Sequence, residues 1–198
     1  MIKIAKAHYK LSKRVENYGE IKKIANEMIN FLYSGAEKME GNYDKVYVLS
    51  HAEVSDKPYA FFVCQKELVK AGLFKSQVII NPKITHVSRL IDRQIVDPVS
   101  RGLIMQEQEN EIGLKEGCLM FPFRDYKTVN RFYKIGVSYQ IPALFGLRLK
   151  KIEEVVEGQS AHIFQHHIDH MQGKNIYFSD CPVLKWWELE GKDRGLME

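Results

Sequence analysis

Cys118, His166 and His170 are the side chains in this chain whose types and spacing suit the holding of a transition-metal ion. They stand in two short stretches, E-G-C-L-M-F-P from Glu116 to Pro122 and Q-H-H-I-D-H from Gln165 to His170. Two histidines four apart on a helix differ by about 40° in direction and about one turn in height, so both imidazoles leave the same face. A thiolate brought in from elsewhere makes a third ligand. Three protein ligands leave one tetrahedral position for water, the pattern of catalytic rather than structural zinc-type sites. Neither half carries this by itself: H-x-x-x-H is more often a solvated polar face, and an unpaired cysteine is more often a small buried hydrophobe. Their combination reads as one metal site. Such a donor set suits zinc, iron, nickel or cobalt, and availability decides among them.

The same two stretches resemble the signatures of the peptide deformylases, E-G-C-L-S-x-P and Q-H-E-x-D-H-L-x-G; here the second runs Q-H-H-I-D-H-M-Q-G and closes on Gly173. Weaker marks follow in the same order. The run from Val78 to Ile84, V-I-I-N-P-K-I, resembles the family's V-x-I-N-P strand, Val129-Asn130-Arg131 its V-x-R, and Glu157-Gly158 with Ala161 the lead-in to its metal helix. The likeness runs from about residue 16 to 178. It implies an α+β fold, peptide-deformylase-like, with a central metal-binding helix surrounded by antiparallel β-sheets. It also implies one divalent ion, Fe²⁺ or Zn²⁺ ahead of Ni²⁺ or Co²⁺, on Cys118, His166 and His170. The implied reaction is removal of the formyl group from N-terminal formylmethionine of nascent peptides, a processing step of protein biosynthesis.

Where the family's helix motif has a glutamate, this chain has His167. By resemblance that position is the general base and acid acting on the attacking water. An imidazole reaches about as far as a carboxylate and near a dication keeps an accepting nitrogen, but it lacks the negative charge that holds a proton there. His167 has three readings: a working base, a fourth ligand that closes the site, or a residue pointing to solvent or into packing.

The family's G-x-G-x-A-A-x-Q loop is also altered. Counting back from Val54-Ser55, the equivalent stretch is 44–51, without glycine, and His51 falls where the oxyanion-donating Gln is expected. A ring N–H can donate in its place. Gln65 competes for that role but follows an apolar run better suited to the next strand. The backbone N–H of Leu119, just after the cysteine, is the other expected donor. Met120 and Phe123 replace a serine and a glycine along the substrate path, which predicts a narrower or reshaped pocket. Intact ligands beside an altered base, donor and loop leave three readings: a deformylase, an amidase with another acyl substrate, or a non-catalytic metal-binding relative that recognises a peptide or protein.

Several elements must position these groups. Ile21, Ile24, Ala25, Met28, Ile29, Leu32 and Tyr33 at helical spacing predict a first helix over about 16–38. Strands are expected at 45–50, 58–64, 77–81, 84–89, 131–139 and 143–150, punctuated by prolines, and the metal helix over 152–172, stopped by Gly173. Arg131 and Asp169 are candidates to orient the ligands, or simply to form a structural ion pair.

The chain of 198 residues, 45% hydrophobic and 11% aromatic, is enough for one domain over 1–198 with a basic arm at 1–15 and a divergent tail at 174–198. Trp186 and Trp187 in that tail are expected to pack back onto the domain. A net charge of +4, spread along the chain, predicts no specific nucleic-acid partner, and the arm suits at most a weak ribosome contact. No stretch is apolar enough for a signal h-region or a membrane span. With three cysteines and one of them a ligand, no disulfide framework is implied, which points to a reducing cytoplasmic compartment.

Overall fold

The computed structural model describes residues 10–34, 46–87, 106–108, 111–120 and 126–177. Strands β1 (Val48–Ser50), β2 (Phe61–Cys64), β3 (Val78–Val87), β7 (Lys134–Ala143) and β8 (Arg148–Glu157) form a five-stranded antiparallel sheet in the order β1-β2-β3-β7-β8. A second antiparallel sheet holds β4 (Gln106–Gln108), β5 (Glu111–Glu116) and β6 (Lys127–Arg131) in that order. Three helices join them: α1 (Lys22–Ser34), the short α2 (Lys66–Lys70) and α3 (Gly158–Met171).

Side chains alternate across a strand, and β2 shows why the sheet is covered on both faces. Phe62 and Cys64 enter a core with Phe74, Ile79, Ile84, Ile135, Val137, Tyr139, Phe164 and Ile168, the last two from α3. Phe61 and Val63 point the other way, into a core with Ile21, Ala25, Met28, Leu32 and Ile80. Ala25, Met28 and Leu32 lie on one stripe of α1, as an amphipathic helix requires. The helix begins at Lys22, after a 3-10 turn at Tyr18–Glu20 in which the Asn17 side chain accepts the N–H of Glu20.

Two expectations need correction. The metal helix does not start at 152: residues 152–157 belong to β8, which pairs residue for residue with β7 from Lys134↔Glu157 to Ala143↔Arg148. Ile152, Val155 and Val156 are β-branched and suit the pleat. Helix begins only at Gly158, whose φ of +57° turns the chain out of the strand and whose N–H reaches the Tyr133 carbonyl at 2.9 Å. The two strands expected around Pro82 are one, β3, bent by a register shift between Ile80 and Lys83 that accommodates the missing proline N–H.

Of the arm expected at 1–15, the described residues Ser12, Lys13 and Val15 contact the domain. Lys13 bridges Tyr59, Ser12 N–H donates to the Met171 carbonyl, and Asn81 grips Val15 through both its N–H and its carbonyl. The elements β4, β5, β6 and α2 were not expected, and of these only β5, with Ile112 and Leu114 alternating, offered a period. The predicted end of the first helix at 35–38, together with Phe123, Trp186, Trp187 and Cys181, lies outside the described residues.

Candidate metal centre

Helix α3 carries the histidines because its surroundings fix its rotation. Phe164 drives into the first core, edge-on to Phe62 and Phe74. On another side Gln165 clamps Phe132, accepting its N–H at 2.9 Å and donating to its carbonyl at 2.8 Å. The end is a Schellman motif: Gly173, with φ +73°, donates to the His170 carbonyl, and Lys174 donates to that of Asp169. With rotation and end fixed, His166 and His170 face the strand end where β5 delivers Cys118.

His166 Nε2 and His170 Nε2 stand 3.1 Å apart, and Cys118 Sγ is 3.2 Å from His170 Nε2. A fourth side chain joins them. One donor atom each from Glu53, Cys118, His166 and His170 all lie within 4.8 Å of one another, and all four residues are buried or nearly so. Metal–ligand bonds of about 2.0–2.3 Å set tetrahedral ligands roughly 3.3–3.8 Å apart, so separations of this size suit donors around one small ion. Two imidazole nitrogens, a sulfur and a carboxylate are a donor set that one cation can satisfy together. The residues present therefore fit a divalent ion of the zinc or iron kind.

The electrostatics agree. Burial lowers His166, Glu116 partly opposing it, and brings His170 down to about 3, so both rings are neutral and able to donate a lone pair near pH 7. Burial pushes the Cys118 thiol well above its ordinary value, and the Glu53 charge adds to that. Burial also works against ionising Glu53, but His167, His170 and His166 around it outweigh that and hold its carboxyl below the usual range.

Behind the donors lies a charge cluster, the missed part of which is Glu116. Its two oxygens take the Arg131 Nε at 2.6 Å and Nη2 at 3.0 Å, the His162 Nε2 at 2.6 Å and the His166 Nδ1 at 2.7 Å. Nδ1 of His166 is thereby occupied, which leaves Nε2 to face the donor group. Arg131 extends the cluster to Asp169 at 2.5 Å. Burial opposes ionisation of Glu116, but Arg131 and His162 hold it well below its ordinary value. Asp169, whose Oδ1 has no hydrogen-bond partner, is pushed up to about 7 by burial against the pull of Arg131. Arg131 thus joins Asp169 to Glu116, which in turn contacts His166. Signals for Glu116 and His162 were in the text: the acid next but one to the cysteine, and a histidine one turn before His166 on the same stripe.

His51 is buried beside Tyr59 and Phe61. Its Nδ1 accepts the Tyr59 N–H at 2.9 Å and its ring stacks on Phe61 and Tyr59, which commits it to packing. The 3-10 turn His51–Glu53 instead brings its last residue, Glu53, to the donors. Ser50 fixes Glu53: both its N–H, at 2.7 Å, and its hydroxyl, at 2.9 Å, donate to Oε2. That S-x-x-E spacing is a capping box, the signal that would have found Glu53. His167 is buried and stacked on Phe62, rather than pointing to solvent, and lies outside the four-donor group. Its Nδ1 comes within 3.3 Å of Glu53 Oε2 but off the direction of a hydrogen bond. Leu119, next to Cys118, is buried in the α1 core, and Met120 packs beside Cys118 and Val129. Gln65, the competing donor, is turned to the Leu32 and Val46 carbonyls.

This arrangement, an α+β scaffold with a thiol, two imidazoles and a carboxylate converging in its interior, defines a metallohydrolase-like protein. The polypeptide deformylase family model matches residues 3–180. Peptide deformylase of Thermotoga petrophila is 37% identical over 79 residues, 40% of this chain and 44% of that protein, so the match spans less than half of that relative. The Thermus thermophilus enzyme is 25% identical over 176 residues, 86% of this chain and 75% of that protein. The crystal structure of peptide deformylase from Thermotoga maritima superposes with a TM-score of 0.58 at 25% identity, covering 91% of this chain and 97% of that one. A peptide deformylase from Legionella pneumophila, at 24% identity and a TM-score of 0.59, covers 98% and 99% and shares the fold. The chain belongs to the polypeptide deformylase family, whose members are metal-dependent hydrolases.

Proposed function

We propose that this protein is a metal-dependent amide hydrolase that removes the formyl group from the N-terminal formylmethionine of peptides. The observation that carries the reading is the convergence of Cys118 Sγ, His166 Nε2 and His170 Nε2 at 3.1–3.2 Å in a buried setting. These three would hold an Fe²⁺ or Zn²⁺ ion. When bound, such an ion supplies Lewis acidity to the formyl oxygen and acidity to a water. Glu116 keeps His166 in the tautomer that presents Nε2. The Leu119 N–H, one residue beyond the cysteine, serves the developing oxyanion. His167 and Glu53 are the groups at hand to move a proton from the attacking water to the leaving amine.

The experiment is formate release from a formyl-Met peptide by anaerobically prepared, Fe²⁺-loaded protein. Release that disappears in Cys118→Ser supports the reading. No release from protein shown to hold one ion overturns it.

The presence of Glu53 among the donors supports a second reading, a closed four-ligand site whose ion is structural. The absorption spectrum of the Co²⁺-loaded protein tests it: a shift on adding a hydroxamate requires an open position, and an unchanged spectrum favours the closed site.

A further inference from the structure

Among the carboxylates and imidazoles near the donors, Glu53 is the best placed to carry a proton. Glu116 has both oxygens filled by Arg131, His162 and His166. Asp169 is bound to Arg131. His167 lies flat against Phe62, ring centroids 5.2 Å apart, with Nδ1 misdirected and the residue outside the donor group. Glu53 differs in each respect. It is buried, it lies within 4.8 Å of the Cys118, His166 and His170 donor atoms, and among the described residues it is the one carboxylate in that group. Ser50 fixes its Oε2 through the backbone N–H at 2.7 Å and the hydroxyl at 2.9 Å, which holds the carboxylate in place beside the donors.

We propose that Glu53 is the proton-carrying carboxylate of this site, delivered by the 3-10 turn after β1 rather than by α3. The inference rests on the amide-hydrolase reading above. As the water oxygen bonds to the formyl carbon, Glu53 takes one water proton; as the C–N bond breaks, it gives that proton to the amine nitrogen. Formic acid and a free amine leave, and the carboxylate is restored. A carboxylate this near the donor atoms reaches a reacting water directly, which is the first requirement of a general base. Three other protein donors already complete the ligand number usual for an open catalytic site, so Glu53 is not needed to hold the ion.

The test uses the full chain loaded with Co²⁺ and three readouts: Co²⁺ affinity by chelator competition, acetohydroxamic acid affinity from the cobalt absorption, and formate release. A hydroxamic acid sheds its hydroxyl proton on chelation, so a nearby carboxylate favours it. In Glu53→Gln, Co²⁺ affinity should stay within about threefold, acetohydroxamate affinity should fall about tenfold or more, and kcat should fall about 10²–10⁴-fold with KM little changed. The double variant Glu53→Gln/His167→Glu puts a carboxylate on α3 at the residue whose Nδ1 now lies 3.3 Å from Glu53 Oε2, and should regain part of both. A loss of Co²⁺ affinity of about a hundredfold or more would make Glu53 a ligand and overturn the proposal. Unchanged hydroxamate affinity and kcat would overturn it too. If Gln unfolds the turn, Glu53→Asp keeps the charge one methylene back and should show the same split; full kcat in it overturns the proposal. No formate from any variant, with the hydroxamate loss as expected, would reject the formyl-peptide reading and leave Glu53 in its role.

Discussion

Glu116 receives the Nδ1 of His166 at 2.7 Å while Arg131 closes on the same carboxylate with two bonds of 2.6 and 3.0 Å. One buried side chain therefore both aims a donor and neutralises a guanidinium. Glu116→Gln keeps the size and removes the charge. Affinity for Zn²⁺ should fall about 10–100-fold, the usual cost of losing a group that orients a ligand, as read by chelator competition. An unchanged affinity would show that Glu116 does not aim His166.

The same substitution should also destabilise the fold, because Arg131 is left buried with only Asp169. Losing one partner of a buried pair costs about 3–5 kcal/mol, which urea unfolding measures. Removing Arg131 instead, as Arg131→Met, strands two carboxylates and should cost at least as much.

Acid should weaken the fold in two windows, Glu116 with Glu53 in the lower and His51 with His170 and His166 in the upper. Glu116 in the folded chain lies well below 4.5, so the unfolded chain takes the proton first; its contribution is whole above about pH 4.5 and is lost as pH falls below that. His51, lowered to about 4 from 6.5 by burial, also binds its proton more readily when unfolded, so stability declines as pH falls from 6.5 towards 4. Melting temperature against pH should therefore drop in two windows. His51→Phe should shrink the upper one, and Glu116→Gln the lower. A profile identical to the parent's in His51→Phe would contradict the buried, accepting role given to His51.

Metal binding should release a proton. His166 and His170 are neutral near pH 7, whereas the thiol of Cys118, pushed up by burial, must be lost as a proton for sulfur to act as a ligand. Adding Zn²⁺ to weakly buffered protein at pH 7 should release about one proton per ion, and affinity should rise about tenfold per pH unit. Cys118→Ser should abolish the release. Two or more protons per ion would mean that the histidines start out charged.

Phe164 locks α3 to the sheet through edge-on contacts with Phe62 and Phe74 and a tilted contact with Tyr139. Phe164→Ala should cost about 3–5 kcal/mol by urea unfolding. Because Phe62 also backs His167, the cavity should loosen that ring.

The sequence by itself determined the α+β fold and the family, because cysteine and histidine types at fixed spacing are written locally and α1 shows its period. It also placed Cys118, His166 and His170 in one plausible set, since i and i+4 share a helix face wherever the helix lies. The start of α3 was decided by pairing: 152–157 could continue a helix by composition, and only the ten-residue ladder with β7 makes it strand. The role of Glu116 was decided by β6 and α3 arriving on either side of it, a meeting of residues 15 and 50 positions apart. Glu53 and His51 show the limit most plainly. Both sit in one turn, two residues apart, and linear counting favoured the histidine. A 3-10 turn rotates the chain by about 120° per residue, so which of them faces the donors was fixed by how β1 and β2 seat that turn, with His51 drawn to Tyr59 and Phe61 and Glu53 left to the interior.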